Sequence, residues 1–271
     1  ALVEGVLRTL DQDARAFLNL ARYEEYDAFT FGHSIRVCAL AVLFARDLSS
    51  DDELVRRIGV ASVLHDVGKA RLPFELLHSK GVFTADERRE MQKHTIFGGE
   101  LLAEMEECDP MAIAVAFGHH RTEDGRGYPQ TAVPLPLSAA TRIVKICDVY
   151  EALTALRPYK PRVSPATAYR TMLEMEGHFE PRLLRRFIKL NGIYPTGSRV
   201  VLSSGEVAMV ERQTSRPESP VVEVETTIDG EELERRQRRL VDLSLEKGAS
   251  PLAVVGEAAD LSRNELYTCS R

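Results

Sequence analysis

Hydrophobic side chains recur every three or four positions through about the first 190 residues, which is the spacing that lines one face of an α-helix. The stretch from Leu2 to Ala21 shows this pattern and predicts an N-terminal helix. Capping residues mark later helix starts, for example Thr84 with Glu87, which can satisfy each other's backbone N–H groups. Helices are predicted over 33–48, 50–68, 73–78, 84–105, 110–120, 138–156, 164–177 and 180–192.

The pattern changes at Pro195, after which hydrophobic and polar residues alternate as they do in β-strands. Val-rich segments at 198–202, 206–212 and 221–226 predict a small β-meander, and a short helix is expected around 251–259. The chain is therefore predicted to be mostly α. Its expected parts are an N-terminal helix at 1–26, a helical domain at 27–194, a small C-terminal β-rich appendage at 195–243 and a tail at 244–271.

Composition narrows the classes of partner. The 271 residues are 44% hydrophobic and carry a formal net charge of −6, which does not favour a nucleic-acid surface. Hydrophobic runs stay shorter than the ~18 residues that span a bilayer, so we expect no membrane segment. We also expect no signal peptide, since Glu4 and Arg8 interrupt the first apolar stretch. The four cysteines lack the paired spacing of a metal motif, and a reducing cytoplasm is the expected compartment.

Imidazole and carboxylate side chains interrupt the apolar helical segments at seven positions. These groups suit iron, manganese, zinc and related ions, and their burial without partners would be costly. A single His-Asp pair is more often a hydrogen-bonded core pair, but seven such residues favour a site that binds metal. The candidates are His33, His65, Asp66, His94, His119, His120 and Asp148.

The motifs around these residues identify a known family. In chain order they are His33-Ser34-Ile35-Arg36-Val37, Leu64-His65-Asp66-Val67-Gly68-Lys69, His94 with Gly98, His119-His120, Asp124-Gly125-Arg126-Gly127-Tyr128-Pro129, and Asp148 with Glu151-Ala152-Leu153-Thr154 and Arg157-Pro158-Tyr159-Lys160. With six motifs in order over about half of the chain, the segment 33–160 resembles the HD-GYP family, a branch of the HD metal-phosphohydrolases.

The resemblance implies a helical HD-type bundle that hydrolyses cyclic di-GMP to linear pGpG in bacterial second-messenger signalling, with GMP as a further product left open. It implies two divalent ions, iron or manganese. His33 and Asp148 would complete one site with His65 and Asp66, and His94 and His119 would complete the other, sharing Asp66 as a bridge. His120 serves a third ion in relatives that hold three. Those relatives have Glu four residues before the first histidine, where this chain has Phe29, so we expect two ions.

The remaining candidates concern the substrate. By resemblance Lys69, Arg157 and Lys160 contact its phosphates, and Asp66 and Lys69 are the candidate catalytic residues. Taken alone, Arg157 and Lys160 would be ordinary cations at a helix C-terminus. We also count Tyr128 and Glu151 as candidate substrate-binding residues.

Two departures from the family pattern keep alternatives open. Arg121 follows the paired histidines where Glu is usual, and Glu151 stands where Asp is usual. Arg121 could weaken metal binding or help to hold a phosphate. The alternatives are a degenerate member that binds a cyclic dinucleotide or a protein and relays a signal, and a phosphohydrolase acting on another nucleotide. An upstream sensor and a homodimer are further candidate partners.

Overall fold

The computed structural model describes residues 24–79, 81–133, 135–155, 163–246 and 253–257. Residues 1–23 of the N-terminal helix predicted over 1–26 lie outside these residues. The predicted gap between that helix and the one at 33–48 was wrong, because residues 24–48 form one helix. The described helices are α1 (Glu24–Leu48), α2 (Asp52–Val63), α3 (Phe74–Leu77), α4 (Ala85–Gln92), α5 (His94–Ala103), α6 (Pro110–Gly118), α7 (Ala139–Thr154), α8 (Pro165–Glu174) and α9 (Pro181–Asn191). No helix among the described residues is both long and apolar enough to cross a bilayer.

The chain divides into two compact units. The first comprises residues 1–152 and 175–183, and the second comprises 153–174 and 184–271. In the first unit α1 packs against α2, α2 against α6, and α5 against both α6 and a 3₁₀ turn at Val67–Arg71. Its core is formed by fully buried side chains that include Phe44, Leu102, Val115 and Ile146.

Helix starts in the first unit follow the capping chemistry of the sequence. Asp51 accepts hydrogen bonds from the backbone N–H groups of Glu53 and Leu54 and so begins α2. The predicted capping box of Thr84 with Glu87 begins α4. Pro110 occupies the first turn of α6, where its missing N–H is not needed.

Two predicted helix ends were wrong. Helix α2 ends at Val63 rather than Gly68, and the predicted 84–105 helix is interrupted at Lys93 into α4 and α5. In each case a histidine ring nitrogen lies against a backbone carbonyl three residues earlier, His65 Nδ1 on Ser62 and His94 Nδ1 on Met91. The ring takes a carbonyl that regular helix would offer to a backbone N–H.

The second unit contains α8 and most of α9, together with an antiparallel sheet. Its strands are β1 (Arg199–Leu202), β2 (Val207–Arg212), β3 (Val221–Val224), β4 (Arg239–Asp242) and β5 (Val254–Glu257), in the order β4-β3-β2-β1-β5. The predicted meander is present as the three central strands. Their buried face, which carries Val200, Leu202, Val210 and Val222, forms a small hydrophobic core of its own.

The C-terminal part of the second unit differs from prediction. A helix was expected around 251–259, but 254–257 is strand β5, paired with β1 through Val201 and Gly256. Strand β4 was not predicted at all. Both strands are chosen by pairing with distant segments, which local hydrophobic spacing does not reveal.

Candidate metal centre

All seven candidate ligands converge in the first unit, although they come from five separate places in the chain. Helix α1 provides His33, the turn after α2 provides His65 and Asp66, and α5 begins with His94. The end of α6 provides His119 and His120, and α7 provides Asp148. Three overlapping groups have ligand atoms within 4.8 Å of one another: His33, His65, Asp66; His65, His119, Asp148; and His94, His119, His120.

A close backbone contact brings two of these places together. A Cβ built on Gly68 would lie 1.9 Å from the His94 carbonyl oxygen and 2.3 Å from the Gly98 backbone nitrogen. Only glycine at this position lets the turn carrying His65 and Asp66 approach the start of α5. The glycines that follow the His-Asp pair and His94 in the sequence therefore have a direct structural reason.

Asp66 lies between two sets of imidazoles, and its two oxygens face different sets. Oδ2 lies 3.3 Å from His65 Nε2 and 3.9 Å from His33 Nε2. Oδ1 lies 3.4 Å from His94 Nε2 and 3.8 Å from His119 Nε2. A carboxylate in this position could give one oxygen to each of two ions.

Backbone carbonyls fix the orientation of three imidazoles. The Nδ1 atoms of His65, His94 and His119 lie 2.6 Å, 2.7 Å and 3.1 Å from the carbonyl oxygens of Ser62, Met91 and Val115. A carbonyl can only accept, so each Nδ1 carries the proton and each Nε2 presents its lone pair to the centre. This arrangement is the usual one for metal-ligating histidine.

His33 is oriented by a carboxylate instead of a carbonyl. Its Nδ1 contacts Glu151, whose second oxygen accepts from Arg36, and its Nε2 lies 3.1 Å from Asp148 Oδ1. Burial opposes the charged form of His33, but the hydrogen bonds to Asp148 and Glu151 outweigh it and raise its pKa to about 9. Glu151, expected to contact substrate, thus has both oxygens engaged beside a candidate ligand.

The electrostatics of the centre favour ionised carboxylates at Asp66 and Asp148, and neutral imidazoles at His94, His119 and His120. Burial opposes ionisation of Asp66, but Lys69 and His65 outweigh it and hold its pKa well below the usual value. Despite burial, the hydrogen bond from His33 lowers the pKa of Asp148 to about 2. Burial lowers the pKa of His119 and His120 well below 6.5. Neutral imidazole and ionised carboxylate are the forms that bind metal.

Two buried atoms test whether a metal fits. His65 Nε2 and Asp66 Oδ1 face the centre without a hydrogen-bond partner. Buried polar atoms are rarely left unsatisfied, because desolvation then goes uncompensated. A lone-pair nitrogen and an anionic oxygen aimed at one centre are matched by a cation, so these residues fit divalent metal.

Lys69 and Tyr128 border the centre. The Lys69 ammonium contacts Asp66. The Tyr128 ring stacks on His120, with centroids 4.6 Å apart and planes inclined by 28°. The backbone N–H of Tyr128 also donates to the His120 carbonyl, at 3.3 Å. The loop motif therefore rests directly on the paired histidines.

The loop that carries Tyr128 is held by its own residues. Asp124 accepts from the Thr122 hydroxyl and from Arg126, and its backbone N–H donates to the Gly177 carbonyl at 3.1 Å. Gly125 has a φ of +76°, which glycine adopts without strain. The loop thus shapes the edge of the centre.

Two residues that contact the centre were not among the candidates from the sequence, and two of the candidates cannot be located in the structure. Arg36, in the first motif, and Lys145, one turn before Asp148, both contact the scaffold of the centre. A charged residue within an apolar helix was the available signal for Lys145. Arg157 and Lys160 lie outside the described residues.

Comparison with known proteins identifies the family of the chain. The HD domain family profile matches residues 19–183. A cyclic di-GMP phosphodiesterase of Pseudomonas aeruginosa is 37% identical over 215 residues, covering 79% of this chain and 52% of the relative. A cyclic di-GMP phosphodiesterase response regulator of Xanthomonas campestris is 32% identical over 182 residues, covering 66% of this chain and 48% of the relative.

A third relative carries a different substrate in its name. The 3'3'-cGAMP-specific phosphodiesterase 2 of Vibrio cholerae is 36% identical over 131 residues, covering 48% of this chain and 25% of the relative. The chain spans about half the length of the first two relatives and less of the third. Since the HD domain profile covers more than half of the chain, the chain belongs to the HD domain family.

Proposed function

We propose that this chain is a metal-dependent phosphodiesterase that hydrolyses cyclic di-GMP to linear pGpG, with GMP as a further product left open. The observation that carries the proposal is Asp66, whose two oxygens face two different sets of imidazole nitrogens. That arrangement supports two divalent ions sharing one carboxylate, iron or manganese by family likeness. The names of the Pseudomonas and Xanthomonas relatives support the substrate.

The chain's own residues would hold and orient these ions. In the proposal His33, His65 and Asp148 hold one ion, and His94 and His119 hold the other, with His120 beside them. When bound, divalent ions at such a site lower the pKa of water and act as Lewis acids toward phosphoryl oxygens. The protein contributes lone pairs fixed by backbone carbonyls, and a buried setting that strengthens each electrostatic contact.

Substrate contacts form the second part of the proposal. Lys69 stands beside Asp66 and can turn its ammonium to a phosphate oxygen, while Tyr128 offers a ring at the edge of the centre. Arg157 and Lys160 are proposed to hold phosphates from family likeness alone. The contacts of Glu151 with His33 and Arg36 support a role in orienting His33 rather than in touching substrate.

The setting of the activity is also a proposal. The response-regulator name of the Xanthomonas relative supports a role in bacterial signalling, downstream of a sensor and in the cytoplasm. A homodimer is kept as a candidate assembly.

The deciding experiment pairs metal analysis with turnover. Protein purified without oxygen is loaded with Fe²⁺ or Mn²⁺, its metal content is measured by mass spectrometry, and products from cyclic di-GMP are separated by chromatography. We expect two ions per chain and pGpG as product. His94→Ala should lose both metal and turnover. His78→Ala is the control and should keep both, since His78 is a half-buried histidine outside the candidate centre whose Nδ1 contacts the Phe74 carbonyl oxygen.

The outcomes separate the alternatives. If metal-loaded protein leaves cyclic di-GMP intact but cleaves 3'3'-cGAMP, the proposed substrate would be wrong and 3'3'-cGAMP would take its place. The name of the Vibrio cholerae relative is the reason for testing this second substrate. Metal-loaded protein that binds a cyclic dinucleotide without cleaving it would replace the enzyme with a signalling module. Protein that binds no divalent metal would overturn the proposal.

A further inference from the structure

Lys145 is a buried cation in the middle of α7, three residues before Asp148, with 3% of its surface exposed. Its ammonium donates to the backbone carbonyl of Arg121, and it lies 5.7 Å from the centroid of the Phe179 ring. Burying an ammonium group is costly unless it makes good contacts. Because the acceptor is a backbone carbonyl, this hydrogen bond restrains the position of the main chain at Arg121.

Arg121 directly follows the paired histidines and lies in a turn that is held on several sides. Its backbone N–H donates to the Gly118 carbonyl at 2.9 Å, closing the end of α6. On another side the loop packs so tightly that a Cβ on Gly127 would lie 2.2 Å from the His120 carbonyl oxygen. Lys145 adds a charge-assisted hydrogen bond to this turn from α7.

We propose that Lys145 is a positioning residue for the ion held by His94 and His119, with His120 beside them, acting through the Arg121 carbonyl. The inference rests on the proposed metal function. Because Lys145 and Asp148 share one helix, the same element that supplies a ligand to the first ion fixes the turn that supplies ligands to the second.

The chemistry of the side chain supports this role over simple space filling. Burial lowers the pKa of Lys145 to about 8, so the amine is still mostly protonated at pH 7 and remains a donor. A methionine would fill nearly the same volume without any N–H group. The two residues therefore separate volume from hydrogen bonding.

The test compares Lys145→Met with Ile146→Ala, a buried neighbour on the same helix with 1% of its surface exposed. Affinities for Mn²⁺ are measured by competition with a chelator, and the unfolding temperature of the metal-free protein is recorded. Removing residues that orient metal ligands commonly weakens binding about 10–100-fold. Lys145→Met should lower the affinity for one of the two ions by about that factor and leave the affinity for the other unchanged. Ile146→Ala should lower the unfolding temperature with both affinities kept.

Two additions make the result decisive. In a His33→Ala background the remaining ion is the one held by His94 and His119, and Lys145→Met should weaken the binding of that ion. Lys145→Gln keeps a neutral N–H donor and should give an intermediate affinity, which also serves if the methionine variant does not fold. Equal affinities in Lys145→Met and wild type, or an equal loss in Ile146→Ala, would overturn the inference. If wild-type protein binds no metal, it is the proposed function that fails.

Discussion

At the scale of single residues, Asp66 differs from Asp148 in what its oxygens face. The two Asp66 oxygens lie near different imidazole nitrogens, Oδ2 near His65 and Oδ1 near His94. Asp148 directs Oδ1 to His33 and His65, at 3.1 Å and 3.9 Å. The two carboxylates should therefore have unequal consequences when removed.

We expect Asp66→Asn to lose most of both ions and to abolish turnover, because one substitution removes charge from both halves of the centre. Asp148→Asn should mainly weaken one ion. Metal content per chain, measured by mass spectrometry after dialysis at matched free Mn²⁺, distinguishes the two variants. An Asp66→Asn protein with two ions and a near-normal rate would contradict the bridging arrangement.

Glu151 should act through His33. Glu151→Gln weakens the acceptor for His33 Nδ1, and Glu151→Asp shortens the arm that reaches both His33 and Arg36. We expect each to weaken one ion about 10-fold or more while KM for cyclic di-GMP changes little. Arg36→Met, which leaves the His33 contact in place, is the control and should cost less. A large rise in KM with unchanged metal affinity would instead indicate that Glu151 contacts the substrate.

The sequence identified the types of side chain that could bind metal, but it could not show which other side chains orient them. Seven imidazoles and carboxylates were identified by chemistry and motif order, and the structure brings all seven together. That Glu151 orients a ligand, or that Lys145 reaches Arg121, depends on which helices become neighbours. Side-chain spacing along one helix contains no such information.

At the scale of elements, the helix starts marked by capping residues were predicted correctly, whereas α1 begins at Glu24 rather than at residue 33. Starts depend on local capping, as at Asp51 and Thr84, where the partners lie within three residues. The ends at Val63 and Gln92 depend on imidazoles that replace backbone donors. Both rings belong to the candidate metal centre, whose other members lie far away in the sequence, so tertiary contacts there override local helical propensity.

The contact between the His65-Asp66 turn and α5 gives a prediction at this scale. Gly68→Ala places a methyl group against the His94 carbonyl and Gly98, so the backbone must move. Overpacking of this kind costs about 1–3 kcal/mol, and we expect metal affinity to fall along with the unfolding temperature. Gly81→Ala is the matched control, since a methyl group added there would meet nothing within 4 Å. Unchanged metal affinity in Gly68→Ala would show that the turn and α5 need not touch.

At the scale of the whole molecule, the metal-free protein should respond to pH through its imidazoles. The pKa of His33 is raised from 6.5 to about 9, so its contribution to stability is fully present below pH 6.5 and is lost as pH rises toward 9. The pKa of His65 is also raised. The pKa of Lys145 is lowered to about 8, so its contribution to stability rises with pH, but only above about pH 8.

The free energy of unfolding of metal-free protein should therefore fall between pH 6.5 and pH 8, by up to about 2 kcal/mol for one proton. Urea titrations at closely spaced pH values measure this slope. Metal-loaded protein is the control, because its ligand imidazoles have already lost their protons and its slope should be shallower or reversed. A flat profile for the metal-free protein would contradict the raised pKa of His33.

The sheet of the second unit depends on strand β5, which covers one side of β1. Strand β1 lies between β2 and β5 in the sheet, and β5 comes from a segment far later in the chain. A version of the protein that stops before residue 253 would leave one side of β1 with its N–H and C=O groups unpaired. Such an open edge is a template for strands of other molecules. Shortening the chain there would thus affect solubility first, through strand-to-strand self-association, while the histidines of the first unit stayed intact.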